Sequence, residues 1–261
     1  MGKAVLFVLL SFVFGAGGAC LRYFQLAQAF EASGLQIVGH PMTVSLIVLS
    51  LFFAALIAAL MLWFGMIRTK LPKQLSLRTR PFDCAVGIIS AAVLAASGVF
   101  RYLDAGIVLS TLDISLIAAA AVGFVSIVVS SIIHVRNDAG AGYSAMIPVL
   151  VFCLNLVTAF KAWGSDPVLL HYTYRILAIV FAVLASYSYA GASFNYTRPG
   201  LGIFSSTVGI YLAAICLVDD LPWADRIFFA FCIVYMVMVA VTQIRYLQRA
   251  KEEIEKELMI D

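Results

Sequence analysis

Four basic residues in this sequence stand beside aromatic residues at boundaries between apolar and polar sequence. They are Arg22, Arg101, Lys161 and Arg175, and Tyr172 lies three residues before Arg175. A guanidinium group can donate two parallel hydrogen bonds to a carboxylate or phosphate, and a tyrosine hydroxyl can add another. If these side chains converge, they could bind an anionic head group or a small acid.

The same four basic residues have a second interpretation. Each could anchor its own segment separately, because long basic side chains extend from apolar surroundings to water. Each could also pair with an acid, for which the candidates are Asp104, Asp166 and Asp219. In that case the basic residues would position helices without forming a shared binding site.

Asn155 is a polar residue within a long apolar stretch, and Thr158 follows it by about one helical turn. Inside a membrane its amide must find a hydrogen-bond partner, because lipid offers none. That partner is either a neighbouring helix or a bound ligand. Asn155 therefore joins the five residues above as a candidate for ligand binding.

Residues suited to catalysis or metal binding are few. His40 and His171 stand at the starts of apolar runs, with no histidine pair at helical spacing, and this favours structural roles. The five cysteines show no metal-binding spacing; Cys20 and Cys216 could form a disulfide, with free thiols as the alternative. We assign no catalytic residue, no metal site and no cofactor.

The composition identifies the environment of the chain. Of its 261 residues, 63% are hydrophobic and only 12% are charged, whereas soluble domains carry about 25% charged residues. Eight apolar runs fall between charged or histidine residues, at 4–21, 41–67, 84–100, 114–133, 139–160, 176–197, 199–218 and 227–244. A helix needs about 20 apolar residues to cross a bilayer. The sequence predicts an all-α, polytopic transmembrane bundle of about eight spans.

The distribution of basic residues predicts the orientation. Residues 68–80 carry five bases and no acid, which is typical of a cytoplasmic loop. Alternation then places 12 of the 17 basic residues, and both termini, in the cytoplasm. Arg22, Arg101, Lys161 and Arg175 fall on the outer side. We expect residues 1–244 to form the bundle and residues 245–261 to form a cytoplasmic helical tail.

Short connections predict that the spans pack as four antiparallel hairpins. Small residues recur at four-residue spacing on three runs, at 15–19, at 87–91 and at Ala182, Ser186 and Ala190. Such faces let helix backbones approach closely in lipid. No Asp, Glu, Lys or Arg lies near the middle of any run, which disfavours an ion-coupled pump.

One part of the chain resembles known sequences. Residues 151–167, together with Tyr172, Tyr174 and Arg175, are similar to segments of uncharacterised polytopic membrane proteins from Gram-positive anaerobic bacteria. The resemblance implies a bacterial cell membrane. It brings no activity with it.

These observations favour a non-enzymatic membrane protein that binds or passes a small or lipid-like ligand from the outer side. The basic residues make an anion one candidate. A second hypothesis is an accessory subunit that holds a cytoplasmic partner through its tail. A third is a membrane enzyme acting on a lipid-linked substrate through the pair Asp219 and Asp220. The expected partners are the bilayer and such a ligand, and not nucleic acid.

Overall fold

The computed structural model describes residues 2–31, 37–66, 77, 79–106, 109–136, 141–163, 169–194 and 199–258, without the side chains of 136, 141, 163, 169–171 and 256–258. These residues form eight α-helices: α1 (Gly2–Gln28), α2 (Pro41–Trp63), α3 (Pro81–Ala105), α4 (Thr111–Arg136), α5 (Ala141–Trp163), α6 (Leu169–Ser193), α7 (Pro199–Cys216) and α8 (Trp223–Leu258). The prediction of an all-helical polytopic bundle is confirmed.

All eight helices are long and apolar enough to cross a membrane. Their outer surface carries many exposed large hydrophobic side chains, such as Leu51, Phe52 and Phe160. Contact of so large an apolar surface with water would be unfavourable. In a membrane these side chains contact lipid, and each helix forms its backbone hydrogen bonds internally. The chain is a multi-pass integral membrane protein.

The two last helices form the centre of the bundle. Helix α7 packs against α1, α2, α6 and α8, and α8 packs against α1, α3, α6 and α7. Helices α3 to α8 close a ring, because each packs against the next and α8 returns to α3. The four predicted hairpins all form. Helices α1 and α2 pack on α7 and make no contact with α3 in the described residues.

The small-residue faces mark close helix contacts, as the sequence predicted. A Cβ atom added at Gly18 would lie 2.9 Å from two side-chain carbons of Ile215 on α7. A Cβ atom at Gly87 would lie 2.3 Å from the Ser131 hydroxyl of α4. On α6 the small residues Ala182, Ser186 and Ala190 are all buried. Glycine at positions 18 and 87 lets the neighbouring helices approach more closely than a residue with a side chain would allow.

Pro148 interrupts the hydrogen bonding of α5 inside the membrane. Proline has no N–H, so the carbonyl of Ser144, four residues earlier, loses its usual helical donor. The hydroxyl of Ser126 on α4 donates to that carbonyl at 2.5 Å. The interruption in α5 therefore creates a polar link between two neighbouring helices.

Lys3 of α1 and Lys251 of α8 lie at the same end of the bundle, beside the end of α2. The ammonium of Lys3 lies 5.0 Å from the ring centre of Phe64, and the ammonium of Lys251 donates to the Phe64 carbonyl at 2.9 Å. Helix α8 continues without a break past residue 245, and Leu247 and Ala250 are buried. The helical tail starts inside the packed bundle. Which end faces the cytoplasm stays a prediction.

Candidate functional site

The opposite end of the bundle holds a buried charge cluster centred on Asp219, in the turn after α7. Nε of Arg22 donates to one carboxylate oxygen at 2.8 Å, and Nε of Arg175 donates to the other at 2.7 Å. Arg22 and Asp219 are completely buried. We call these three residues, together with Gln25 and Thr43, the Asp219 cluster.

The Asp219 cluster connects four parts of the fold. Arg22 Nη1 donates to the Gln25 amide oxygen at 2.8 Å, and the Gln25 amide donates to the Thr43 hydroxyl at 3.0 Å. The cluster thereby joins α1, α2, α6 and the α7–α8 connection. Two tyrosine rings complete it, with Tyr174 beside Arg22 at 5.6 Å and Tyr172 beside Arg175 at 5.2 Å. An aromatic face stabilises a cation at such distances.

Within this cluster the carboxylate of Asp219 occupies the position that an external anion would take. Arg22, Arg175 and Tyr172, three of the predicted ligand-binding residues, are brought together as the sequence suggested. Since no water reaches Asp219, the cluster acts in this conformation as an internal clamp. The same burial keeps Asp219 from contacting a lipid-linked substrate in this conformation, whereas Asp220, the second residue of the enzyme hypothesis, is exposed.

Arg22 was expected at the end of its helix, but α1 continues to Gln28 and encloses it. A buried cation is expensive unless it is paired and hydrogen-bonded. Asp219 and Gln25 supply those partners. The charge is therefore compatible with a position inside the helix.

A second polar site at the same end surrounds Arg101. Its guanidinium donates a short hydrogen bond to Asp225 at the start of α8, and its Nη1 lies 3.6 Å from Asp113 at the start of α4. Asp113 also accepts from the Ser110 hydroxyl at 2.6 Å, while Ser110 accepts from the Asp113 N–H at 3.1 Å. This reciprocal capping fixes the first turn of α4. Arg101 thus links three helices through carboxylates whose positions are set by helix starts.

Asn155 and Thr158 of α5 face the same site. The Asn155 amide donates to the Val151 carbonyl at 2.9 Å, and the Thr158 hydroxyl donates to the Asn155 carbonyl at 2.9 Å. Both bonds stay within α5. In the described residues Asn155 therefore does not make the interhelical bond that the sequence left open as an alternative to ligand contact.

These residues line a half-open cavity of about 190 Å³, which we call the Arg101 pocket. Its polar wall consists of Arg101, Ser110, Asp113, Asn155, Thr158 and Asp225. Its apolar wall includes Leu116, Ile179, Phe228 and Phe229. The pocket lies between α3, α4, α5, α6 and α8, inside the ring of helices.

An aromatic plug closes the inner side of the pocket. Phe228 lines the pocket and packs against Phe152 and Phe231 at centroid distances of 6.1 and 5.9 Å. Phe152 stacks on Phe231 at 5.4 Å, and Tyr235 adjoins Phe152 at 5.5 Å. We call Phe152, Phe228, Phe231 and Tyr235 the aromatic plug. The aromatic plug therefore lies between the pocket and the middle of the bundle.

The remaining candidates have separate places. Lys161 is exposed near the end of α5 and does not line the pocket, although its neighbour Ala162 does. His40 accepts a hydrogen bond from the Met42 N–H at 3.3 Å, which caps α2, and the side chain of His171 lies outside the described residues. The four bases thus separate into a buried pair, a pocket residue and an exposed residue.

The structure adds Asp113, Asp225 and Asp219 to the candidate site residues. Their signal in the sequence was their position at helix ends on the same side as the basic residues. Cys20 and Cys216 are free thiols, so the disulfide alternative is not formed. No family model, curated protein or solved structure matches this chain.

Proposed function

We propose that this membrane protein binds a small polar molecule in the Arg101 pocket, at the end of the bundle that the positive-inside rule assigns to the outer side. The observation that supports this proposal is the pocket itself. It is half-open, it places six hydrogen-bonding or charged residues opposite an apolar wall, and it lies inside the helix ring. Concave sites with a few convergent polar groups are the usual form of small-molecule sites.

The dimensions of the pocket limit the ligand. A cavity of about 150 Å³ accommodates benzene. The Arg101 pocket, at about 190 Å³, therefore suits a metabolite of similar or slightly larger size. A complete lipid does not fit inside, although a head group does.

The charges of the pocket favour a cationic or zwitterionic ligand. Its described lining carries two carboxylates, Asp113 and Asp225, and one guanidinium, Arg101. A ligand amine can bind a carboxylate that Arg101 shares, whereas a simple anion must displace a carboxylate from Arg101. The two acids therefore change the expected charge of the ligand, since the basic residues alone suggested an anion.

The aromatic plug favours binding over free passage in this conformation. A channel would need a polar path, but Phe228 and its three aromatic neighbours separate the pocket from the inner half of the bundle. Release to the other side would require these rings to move. A receptor-like or carrier-like cycle fits this arrangement.

Cysteine accessibility tests whether the pocket admits a charged molecule. In the full-length protein, Thr158→Cys is treated with a trimethylammonium and then with a sulfonate methanethiosulfonate reagent. We expect Thr158→Cys to react. The ratio of its reaction rate with the cationic reagent to its rate with the anionic reagent should exceed the same ratio for Ser110→Cys, which is exposed. Ser186→Cys, which is completely buried beyond the plug, is the unreactive control. No reaction at Thr158→Cys with either reagent would overturn the proposal.

A matched set of probes tests the ligand class. Butylamine, γ-aminobutyrate and butyrate share one carbon chain and differ in charge. We expect the amine or the zwitterion to raise the unfolding temperature, and Asp113→Asn to reduce that rise, because bound ligand stabilises the folded state. A rise with butyrate alone, or a rise that Asp113→Asn leaves unchanged, would contradict the assigned charge preference.

A further inference from the structure

A second cleft lies at the opposite end of the bundle, between the start of α3, the end of α4 and α8. We call it the inner cleft. It has a volume of about 480 Å³ and is lined by Thr79, Arg80, Pro81, Val135 and Arg249. It shares no residue with the Arg101 pocket.

Among the residues that the structure describes, the charged side chains that line the inner cleft are basic. Arg80 is exposed immediately before α3, and Arg249 lies on α8. The nearest described acid on α3, Asp83, is already engaged, because Nη1 of Arg245 donates to both of its oxygens at 2.5 Å. The exposed acids Glu252 and Glu253 lie about one turn beyond Arg249 on α8. The lining therefore presents two arginines at the membrane boundary, with two glutamates about one turn from Arg249.

Thr79 supplies an independent indication of a ligand. Its side chain is buried, with 6% exposure, and its hydroxyl has no hydrogen-bond partner in the described part of the chain. A buried hydroxyl without a partner is unfavourable, because it has lost its hydrogen bonds with water and gained none in the protein. The same residue lines the cleft, so a ligand oxygen there would satisfy the hydroxyl.

The start of α3 lies beside the inner cleft. The first turn of a helix presents N–H groups without intrahelical acceptors and carries a partial positive charge. The carboxylate of Asp83 accepts from the Arg80 N–H at 3.2 Å, which fixes the backbone of Arg80 and offsets part of that charge. Two guanidinium groups and a buried hydroxyl in the lining are donors that suit a phosphate group.

We propose that the inner cleft binds a phosphate group, carried either by a lipid head group or by a soluble molecule. The level of the cleft is that of the membrane interface, since α3 begins at Pro81 as an apolar span. Basic pockets between helices on the cytoplasmic side suit phosphate-bearing head groups. The site is independent of the proposed function, and either can fail without the other.

The test uses the full-length protein in neutral detergent. A short-chain phosphatidylglycerol, phosphatidylcholine with the same chains, and inorganic phosphate are titrated, and the unfolding temperature is followed. We expect phosphatidylglycerol or inorganic phosphate to raise it more than phosphatidylcholine does. A response to the lipid alone identifies a head-group site, and a response to inorganic phosphate identifies a site for soluble phosphate compounds. No response to either would overturn the proposal.

Variants locate the response in the cleft. Arg80→Gln with Arg249→Gln should weaken binding by at least tenfold, whereas Lys3→Gln and Lys251→Gln together remove the same charge at the same end without touching the cleft. Equal weakening by the two pairs would overturn the site, because a general charge effect would then explain it. Glu253→Gln should strengthen binding by removing a competing acid.

Thr79→Val separates binding from folding. The change removes the unpartnered hydroxyl and keeps the shape, so the protein without ligand should be at least as stable as the unaltered protein. Affinity for the responding probe should fall several-fold. Unchanged affinity would overturn the part assigned to Thr79, and a loss of stability without ligand would show that the hydroxyl has a structural partner.

Discussion

Arg22 and Asp219 are 197 residues apart in the sequence, yet their side chains form a completely buried ion pair at 2.8 Å. Arg175 donates to the second oxygen of the same carboxylate. One acid therefore holds two cations, and it does so at the junction of α1, α6 and the α7–α8 connection. Removing the shared acid and removing one of the two bases should therefore destabilise the protein by different amounts.

Asp219→Asn should be the most damaging single change in the cluster. It leaves two buried guanidinium groups without the carboxylate that they share, and removing one partner of a buried pair costs about 3–5 kcal/mol. We expect a large fall in the unfolding temperature of the purified protein. Asp220→Asn is the matched control, because Asp220 is exposed and only its carbonyl contacts Arg175. A similar loss in both variants would contradict this account.

Arg22→Gln should destabilise less than Asp219→Asn. Its removal leaves Arg175 and Asp219 as a pair of opposite charge, whereas removal of the acid leaves like charges together. The difference is measurable as the order of unfolding temperatures in the same detergent. The reverse order would show that Asp219 is not the main counter-charge of the cluster.

A second buried pair secures the other end of the bundle. Arg245 of α8 contacts both oxygens of Asp83, which is 3% exposed in the first turn of α3. Arg245→Gln should cost about 3–5 kcal/mol by leaving that carboxylate uncompensated. Exchanging the two charges should restore only part of the loss, because an acid at a helix start is favourable and a base is not. Complete restoration in a double-mutant cycle would contradict the role of the helix end.

Neighbouring glycines of α1 provide a test of close packing. Gly18→Ala should destabilise by about 1–3 kcal/mol, since its Cβ would lie within 3.0 Å of Ile215 and Tyr211. Gly17→Ala meets nothing within 4 Å and should be neutral or stabilising, because alanine is the better helix former. Thermal unfolding of both variants measures the difference. Equal effects would show that α1 and α7 are not in close contact at this point.

The helices could be predicted from sequence because hydrophobic length alone determines a membrane span. The partners of the charged residues could not. Asp104, Asp166 and Asp219 were equivalent candidates for Arg22, and only the packing of α1 against α7 selects Asp219. The partners of Arg101 could not be predicted either, because its two acids lie at the starts of α4 and α8 and are brought to it only by packing. The sequence left Asn155 a neighbouring helix or a ligand as its partner, and its bond within α5 depends on local geometry that composition does not reveal.

Phe152 should control the depth of the Arg101 pocket. Its ring stacks on Phe231 and adjoins Tyr235, whose hydroxyl lies 3.1 Å from the buried Ser186 hydroxyl. Phe152→Ala removes the centre of the aromatic plug and opens space from the pocket toward Ser186. In that background, Ser186→Cys should become reactive toward the small cationic thiol reagent from the pocket end. Phe53→Ala, which removes a buried ring against Tyr211 elsewhere in the bundle, is the control for general loosening and should leave Ser186→Cys unreactive. If both backgrounds react equally, the plug does not close the pocket, and a carrier-like cycle that depends on its movement loses its basis.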